Sequence, residues 1–255
     1  MELLHGKLID HTGLLVLGIC GAQGSGKSTL ARMLVSRLSD EGIRAASLSL
    51  DDLYLTRAER NRLAFDVHPL LAMRGVPGTH EVDLGISLID RLASGEPADL
   101  PLFDKAIDDR FSADLWRKAP ANCRVLVFEG WCVAARPQLE EALGDPVNAL
   151  EYDEDADGIW RRWVNRRLAG DYQRLFSRID ALIMLAAPSF AVVKDWRLQQ
   201  ERDLEQSAHA VMDEAGITRF IQFYQRLTEW MLAEMPARAD LVVRLDARRQ
   251  LLSID

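Results

Sequence analysis

The sequence predicts an α/β fold, in which a doubly wound parallel sheet of five strands carries helices on both faces. Short apolar runs of strand length alternate with amphipathic stretches of helical length, a pattern typical of a parallel sheet covered on both sides. The first apolar run leads into a glycine-rich segment that is followed directly by a helical pattern. No linker or internal repeat divides the 255 residues, a length that suits one domain with a helical annex. We therefore expect a single domain over 1–255.

Five segments are predicted as strands because each is a short and nearly unbroken run of apolar residues. Such runs are typical of strands that are buried on both faces of a sheet. In chain order, the predicted strands are 14–20, 45–50, 124–130, 181–186 and 240–246.

Helices are predicted from the spacing of apolar residues between these strands. The helix after the first strand places its leucines on one stripe, and Gly42 ends it in the usual manner of a helix C-terminus. The stretch 68–80 is too rich in proline and glycine for regular structure, whereas 99–110 is expected to be extended. The predicted helices are 28–41, 56–66, 83–93, 189–214 and 218–234.

Composition excludes several classes of function. The net charge of −8 argues against nucleic-acid binding, which needs a basic surface. No apolar run is long enough to span a membrane, so no membrane partner is expected. Cys20, Cys123 and Cys132 form no C-x-x-C pair, and this unpatterned set favours a reducing, cytoplasmic location. The sequence leaves a monomer and a small homo-oligomer both open.

The glycine-rich segment reads Gly-Ala-Gln-Gly-Ser-Gly-Lys-Ser-Thr and contains the pattern G-x-x-x-x-G-K-S. Glycines let successive backbone N–H groups surround an anion, and the helix that follows adds its positive dipole end. Lys27 is predicted to contact the β- and γ-phosphates as a catalytic residue, and the Ser28 hydroxyl to bind Mg²⁺. With a buried strand before it and a helix after it, the motif predicts a nucleotide-binding P-loop. Its predicted nucleotide-binding residues are Gly21, Ala22, Gln23, Gly24, Ser25, Gly26, Lys27, Ser28 and Thr29.

Carboxylates stand at the ends of two predicted strands, where doubly wound sheets bind their ligands. Asp51 and Asp52 follow the second strand, and Glu129 lies near the end of the third. Asp51 is predicted to be the catalytic base and a Mg²⁺ ligand, with Asp52 as a cap of the following turn. Glu129 is predicted to help bind Mg²⁺. The alternatives are a capping role for either aspartate and a solvent-facing glutamate.

Arginines cluster between the third and fourth strands. Helical spacing places Arg162 and Arg166 on one face. Arginines on a mobile helix can close over ATP and neutralise the charge that develops during transfer. The segment 155–176 is therefore predicted to be a lid, the alternative being a solvated cationic helix face.

Two absences narrow the chemistry of the P-loop. The sequence contains neither an Asn-Lys-x-Asp segment, which reads guanine, nor a Leu-Ser-Gly-Gly-Gln signature of transporter ATPases. Both absences favour a kinase.

The P-loop, Ser-Leu-Asp-Asp-Leu-Tyr at 49–54 and Phe-Glu-Gly at 128–130 resemble the phosphoribulokinase, uridine kinase and pantothenate kinase group of P-loop kinases. Within that group, Arg-Gly-Val-Pro-Gly-Thr-His at 74–80 and Leu-Phe-Asp-Lys at 102–105 resemble the plant-type D-glycerate 3-kinase family. The resemblance implies ATP, Mg²⁺ and a small hydroxy acid as acceptor, with 3-phosphoglycerate as the product if the acceptor is D-glycerate. In the family a longer, glycine-containing loop usually separates Asp-Lys from Asp-Arg, whereas only 106–108 intervene here.

The acceptor of this family is a carboxylate, which arginine binds well because its planar fork matches two oxygens. Arg74 and Arg110 are the predicted acceptor-binding arginines, and His80 is a candidate hydrogen-bond partner; for all three the alternative is a structural role. Two other functions stay open: a kinase of a nucleoside or pantothenate-like alcohol, and a nucleotide-dependent switch or assembly ATPase.

Overall fold

The computed structural model describes residues 1–205 and 214–255. The strands within these ranges are β1 (Leu15–Gly21), β2 (Ala45–Ser49), β3 (Ala98–Leu100), β4 (Phe103–Asp104), β5 (Asp109–Arg110), β6 (Arg117–Ala119), β7 (Val125–Gly130), β8 (Ala181–Ala186), β9 (Leu241–Leu245) and β10 (Leu251–Ile254). The α-helices are α1 (Glu2–Asp10), α2 (Lys27–Asp40), α3 (Arg57–Asp66), α4 (Val82–Ala93), α5 (Ala149–Glu154), α6 (Ile159–Arg167), α7 (Gln173–Phe176), α8 (Ala191–Glu205) and α9 (Glu214–Glu234).

A central sheet has the strand order β10-β9-β8-β1-β7-β2. The strands β2, β7, β1, β8 and β9 are parallel, which confirms the predicted parallel sheet. The prediction of five strands is wrong by one, because β10 adds an antiparallel edge strand beside β9. β10 is only four residues long and most of its side chains are exposed, so no buried face marks it as part of the sheet.

Both faces of this sheet are buried. Leu15, Leu17 and Ile19 of β1 belong to a cluster that also holds side chains of α2 and α8. Val16 and Cys20 belong to the cluster on the opposite face, with side chains of α4 and α9. A strand buried on both faces needs apolar residues at every position, which explains the unbroken run in the sequence.

The predicted helices have the right type but differ at their ends. The helix predicted over 189–214 ends at Glu205 within the described residues, and 206–213 lie outside them. The helix predicted from 218 begins earlier, at Glu214. Helix α1 was not predicted, because Leu4 is its only buried residue and one buried position creates no periodic pattern.

Two small antiparallel pairs lie outside the central sheet. β3 pairs with β6, and β4 pairs with β5 to form a hairpin whose turn is 105–108. The three cysteines are buried and free. Among the helices in the described part of the chain, none is both long and apolar enough to cross a membrane.

Candidate active site

The P-loop connects β1 to α2, so its backbone N–H groups lie at the positive end of that helix. The Lys27 ammonium crosses the loop and donates a hydrogen bond to the Ala22 carbonyl at 3.0 Å. The Lys27 side chain is otherwise buried. A buried cation with a single carbonyl partner is suited to bind an anion at this place.

Gly24 marks the point where the P-loop touches α8. Its φ is +77°, and a Cβ atom here would lie 2.9 Å from the Cβ of Trp196. Glycine alone accommodates both the left-handed backbone and this close contact. Trp196 is itself anchored, because its indole N–H donates to the Ala247 carbonyl at 2.7 Å. The P-loop therefore packs against a tryptophan that is held in place by its own hydrogen bond.

Polar atoms of the loop are buried without partners. The side-chain amide atoms of Gln23 and the hydroxyl of Ser25 find no hydrogen-bond partner among the described residues. A buried polar group left unpaired costs about 1–3 kcal/mol. Gln23 lines the cavity beside the loop, so its amide fits a polar ligand such as a phosphate, whereas Ser25 is not among the lining residues.

Ser28 and Glu129 lie side by side at the ends of adjacent elements. The Ser28 hydroxyl donates to Oε1 of Glu129 at 2.8 Å, and Glu129 is only 7% exposed. Mg²⁺ prefers oxygen ligands and is usually held by one or two protein groups together with phosphate oxygens. Among the described residues, no group of three or more His, Cys, Asp or Glu is placed to hold a metal ion. The Ser28–Glu129 pair therefore fits a metal that phosphates help to coordinate.

Asp51 lies in a short 3₁₀ helix, Leu50–Leu53, directly after β2. Its Oδ1 accepts a hydrogen bond from the Tyr54 hydroxyl at 2.7 Å, and its Oδ2 accepts one from the Lys105 ammonium at 2.6 Å. Burial acts to raise the pKa of Asp51, but the charge of Lys105 and these two hydrogen bonds outweigh it and hold the pKa well below its ordinary value. Asp51 is therefore ionised at neutral pH.

Asp52 has a different partner from Asp51, since its Oδ1 accepts the backbone N–H of Phe103 at 3.1 Å. Burial raises the pKa of Asp52 to about 6, against the lowering effect of that hydrogen bond. Asp52 was predicted to cap the following turn, but the cap is Ser49, whose hydroxyl accepts the N–H of Asp51 at 3.3 Å. Asp52 thus joins the end of β2 to the β4–β5 hairpin.

One cavity of about 250 Å³ brings these groups together. Its floor consists of the P-loop and the carboxyl ends of β2 and β7, including Lys27, Ser28, Asp51 and Glu129. Its rim comes from a different set of elements and includes Arg74, Lys105, Arg197, Phe220 and Tyr224. The P-loop, an ionised carboxylate and several cations therefore line the same cavity.

The N-terminal half of the chain matches a known protein family. Residues 16–141 match the family described as Phosphoribulokinase / Uridine kinase. A Schizosaccharomyces pombe protein named uncharacterized kinase mug58 is 36% identical over 218 residues, which cover 82% of this chain and 78% of that protein. The chain belongs to the phosphoribulokinase/uridine kinase family. It is an ATP-dependent small-molecule kinase.

Two further relatives of this kinase carry more specific names. The chloroplastic D-glycerate 3-kinase of Arabidopsis thaliana is 27% identical over 259 residues, covering 94% of this chain and 54% of the plant protein. The chain thus spans about half the length of that relative. A solved structure of a D-glycerate 3-kinase from Cryptococcus neoformans matches 100% of this chain and 96% of its own at a TM-score of 0.83 and 24% identity. This structure supports the fold.

Of the predicted acceptor-binding residues, Arg74 lines the cavity of this kinase. Its guanidinium pairs with Asp108 and lies 5.5 Å from the centre of the Phe103 ring. Its neighbour Gly75 has a φ of +131°, and a Cβ atom there would overlap the hydroxyl of Tyr224. The loop that carries Arg74 is therefore pressed against α9.

Arg110 and His80 were predicted to contact the acceptor, but the structure places both behind Tyr54, outside the cavity lining. Arg110 donates to the Tyr54 carbonyl at 2.8 Å and pairs with Glu81. The His80 ring stacks on the Tyr54 ring with 4.6 Å between their centres. Burial lowers the pKa of His80 to about 3, so its imidazole is neutral. Both residues position Tyr54, which in turn donates to Asp51.

The predicted lid does not cover the cavity in this structure, since none of the residues 155–176 lines it. Arg162 instead pairs with Glu140 at 2.8 Å, and Arg166 is exposed. Helix α6 packs through Trp160 on Phe223 of α9, with 5.7 Å between ring centres. A lid role for Arg162 and Arg166 therefore stays a prediction that would require α6 to move.

Sequence reasoning gave no role to several residues of the rim. Lys105 closes the Leu-Phe-Asp-Lys segment, and Arg197, Phe220 and Tyr224 lie in the two C-terminal helices. Of the four, Lys105 falls inside the segment 102–105 that resembles the D-glycerate 3-kinase family, and this resemblance was the signal that could have found it. Their convergence depends on how a hairpin and two helices pack, which no local pattern encodes.

Proposed function

We propose that this kinase transfers the γ-phosphoryl group of ATP to a hydroxyl of a small hydroxy acid, with D-glycerate as the acceptor and 3-phosphoglycerate as the product. The supporting observation is that the Asp51 carboxylate shares one cavity with the P-loop and with the cations Arg74 and Lys105. The names of the plant and fungal relatives support D-glycerate in particular.

The P-loop would bind the phosphates through its backbone N–H groups and the Lys27 ammonium. The unpaired side-chain amide of Gln23 would complete this contact. Mg²⁺, when bound by Ser28 and Glu129 with Asp51 as a further predicted ligand, would neutralise charge on the phosphates.

Asp51 would orient the acceptor hydroxyl and accept its proton. The acceptor oxygen then forms a bond to the γ-phosphorus, while the bond from that phosphorus to the bridging oxygen of ADP breaks. Ring faces of Trp131, Phe220 and Tyr224 line the same cavity and would exclude water, which otherwise competes with the acceptor for the phosphoryl group.

An acceptor panel tests this function. ATP consumption is measured with D-glycerate, L-glycerate, glycerol, uridine and pantothenate, each over a range of concentrations. We expect D-glycerate to have the highest kcat/KM, by about tenfold or more. A preference for uridine or pantothenate would replace the acceptor class. Slow hydrolysis that no acceptor accelerates would instead indicate a nucleotide-dependent switch.

A further inference from the structure

Lys105 forms an ion pair with Asp51, the proposed general base. Its Nζ lies 2.6 Å from Oδ2 of Asp51, while Oδ1 of Asp51 accepts the Tyr54 hydroxyl at 2.7 Å. Each oxygen of the carboxylate therefore already has a donor. A general base needs an oxygen within hydrogen-bond reach of the proton that it removes, and an ammonium in contact with the carboxylate opposes that proton transfer. In this arrangement Asp51 has no free oxygen with which to accept a proton from the acceptor.

The side chain of Lys105 is placed to move although its backbone is held. The side chain is 61% exposed and carries its ammonium at the end of a flexible four-carbon stem. The hairpin that carries it is fixed through Asp108, which pairs with Arg60 and Arg74, and Arg60 is fully buried. The ammonium can thus exchange one anionic partner for another while the hairpin stays in place.

A short hydroxy acid presents both groups that this exchange requires. With its hydroxyl at Asp51, its carboxylate lies only a few bonds away, within the reach of the neighbouring Lys105. The other cations of the cavity are already engaged. Arg74 pairs with Asp108, Lys27 lies across the P-loop, and the Arg197 guanidinium lies 5.2 Å from the centre of the Phe220 ring. The acceptor would bring one negative charge to replace the one that Lys105 leaves, so the cavity gains no unpaired cation.

We propose that Lys105 determines specificity for the acceptor carboxylate, and that this carboxylate draws Lys105 away from Asp51 and so frees the base. The proposal rests on the proposed function, because it takes Asp51 as the base and a hydroxy acid as the acceptor. A neutral alcohol of the same size leaves the ion pair intact. The enzyme therefore discriminates against glycerol in kcat and in KM together.

The test compares D-glycerate and glycerol as acceptors for the wild type and for Lys105→Met, with Lys105→Gln as a second neutral variant. For D-glycerate, kcat/KM falls about 10- to 100-fold, the range for a lost charge-assisted hydrogen bond. For glycerol, kcat rises, because Asp51 is no longer paired. The KM for ATP and the thermal midpoint stay near the wild-type values, since Lys105 is largely exposed.

Two control variants sharpen this comparison. Lys105→Arg keeps the positive charge and retains a preference for D-glycerate. Lys118→Met removes an exposed lysine of β6 that pairs with Asp99, and leaves the rates with both acceptors unchanged.

The outcomes separate this proposal from the proposed function. If the wild type phosphorylates D-glycerate and Lys105→Met slows both acceptors by the same factor, Lys105 acts on the phosphates and the proposal is overturned alone. An unchanged preference in Lys105→Met overturns it as well. If the wild type phosphorylates no hydroxy acid, the proposed function is wrong and the role of Lys105 is lost with it.

Discussion

Asp51 is held in place by its neighbours. Lys105 helps to lower its pKa, and Tyr54 holds the other oxygen in place. Tyr54 is in turn fixed by the stacked ring of His80 and by Arg110 at its carbonyl. The proposed base therefore lies at the end of a series of buried contacts.

Replacing Asp51 tests its role directly. We expect Asp51→Asn to lower kcat by about 10²–10⁴-fold, the usual contribution of a positioned base. ATP binding, measured by calorimetry, should change little, because the P-loop and Lys27 are untouched. Asp52→Asn is the matched control: it keeps an oxygen for the Phe103 N–H and should retain most of the turnover. Near-normal turnover in Asp51→Asn would remove this residue from the base role.

His80 makes a prediction about pH and stability. Burial lowers its folded-state pKa to about 3, below the ordinary value of 6.5. Between about pH 6.5 and about pH 3, His80 is therefore protonated in the unfolded chain but neutral in the folded chain. Its contribution to the free energy of unfolding consequently falls as the pH is lowered, by about 1.4 kcal/mol per pH unit, down to the folded-state pKa.

Urea unfolding of the wild type and of His80→Gln at about pH 7 and about pH 5 isolates this effect. The wild type should lose about 2 kcal/mol more than the variant over this interval. Asp52, whose pKa burial raises to about 6, acts in the opposite direction but is common to both proteins. Equal losses in the two proteins would show that His80 is protonated in the folded state.

At the scale of elements, α9 serves two purposes. Phe220 and Tyr224 line the active-site cavity, while Arg226 makes a bidentate ion pair with Glu151 of α5, at 2.8 and 2.7 Å. Glu151 is fully buried. The ion pair therefore fixes the helix whose side chains form the rim of the cavity.

Breaking this ion pair should be costly. Glu151→Ala leaves the Arg226 guanidinium largely buried without its carboxylate, and we expect the free energy of unfolding to fall by about 3–5 kcal/mol. Asp99→Ala, which removes one partner of an exposed pair with Lys118, should cost about 1 kcal/mol or less. Chemical denaturation measures both variants. Similar losses in the two would mean that burial of the Glu151 pair contributes no special stability.

The elements differ in how far the sequence could predict them. The five parallel strands were predicted because each is a nearly unbroken apolar run, and most long helices because each buries one periodic face. The hairpin β4–β5 and the edge strand β10 are short and owe their form to backbone pairing, which leaves little trace in hydrophobicity. The lid segment 155–176 was predicted from its arginines alone, but its packing is set by Trp160 against α9.

The site shows the same division. Lys27, Ser28, Asp51 and Glu129 meet in one cavity, as expected for residues at the carboxyl ends of neighbouring strands. The stacking of His80 on Tyr54 was not predictable, because a position in a loop near the site does not say whether the side chain lines the cavity or packs behind another residue.

At the scale of the whole molecule, the P-loop lies at the carboxyl edge of a sheet with a hydrophobic core on each face. A ligand bound there stabilises the entire fold by mass action. At a free ATP concentration of about 100 times Kd, the gain is about 2.7 kcal/mol. For a chain of this size that corresponds to a rise of about 5–10 °C in Tm.

Thermal unfolding with and without ATP and Mg²⁺ measures this shift. Lys27→Met should unfold near the wild-type temperature in the absence of nucleotide and lose most of the shift in its presence. If no nucleoside triphosphate raises the Tm of the wild type, the assignment of the P-loop as a nucleotide site fails.

The contact between Gly75 and Tyr224 has an evolutionary consequence. With the tyrosine ring of position 224 in its present place, a side chain at position 75 would bring its Cβ atom into overlap with the Tyr224 hydroxyl. The two positions are therefore constrained to vary as a pair. Homologous kinases that carry alanine or a larger residue at the equivalent of Gly75 should have a smaller residue opposite it, and covariation between these columns would reveal the contact without any structure.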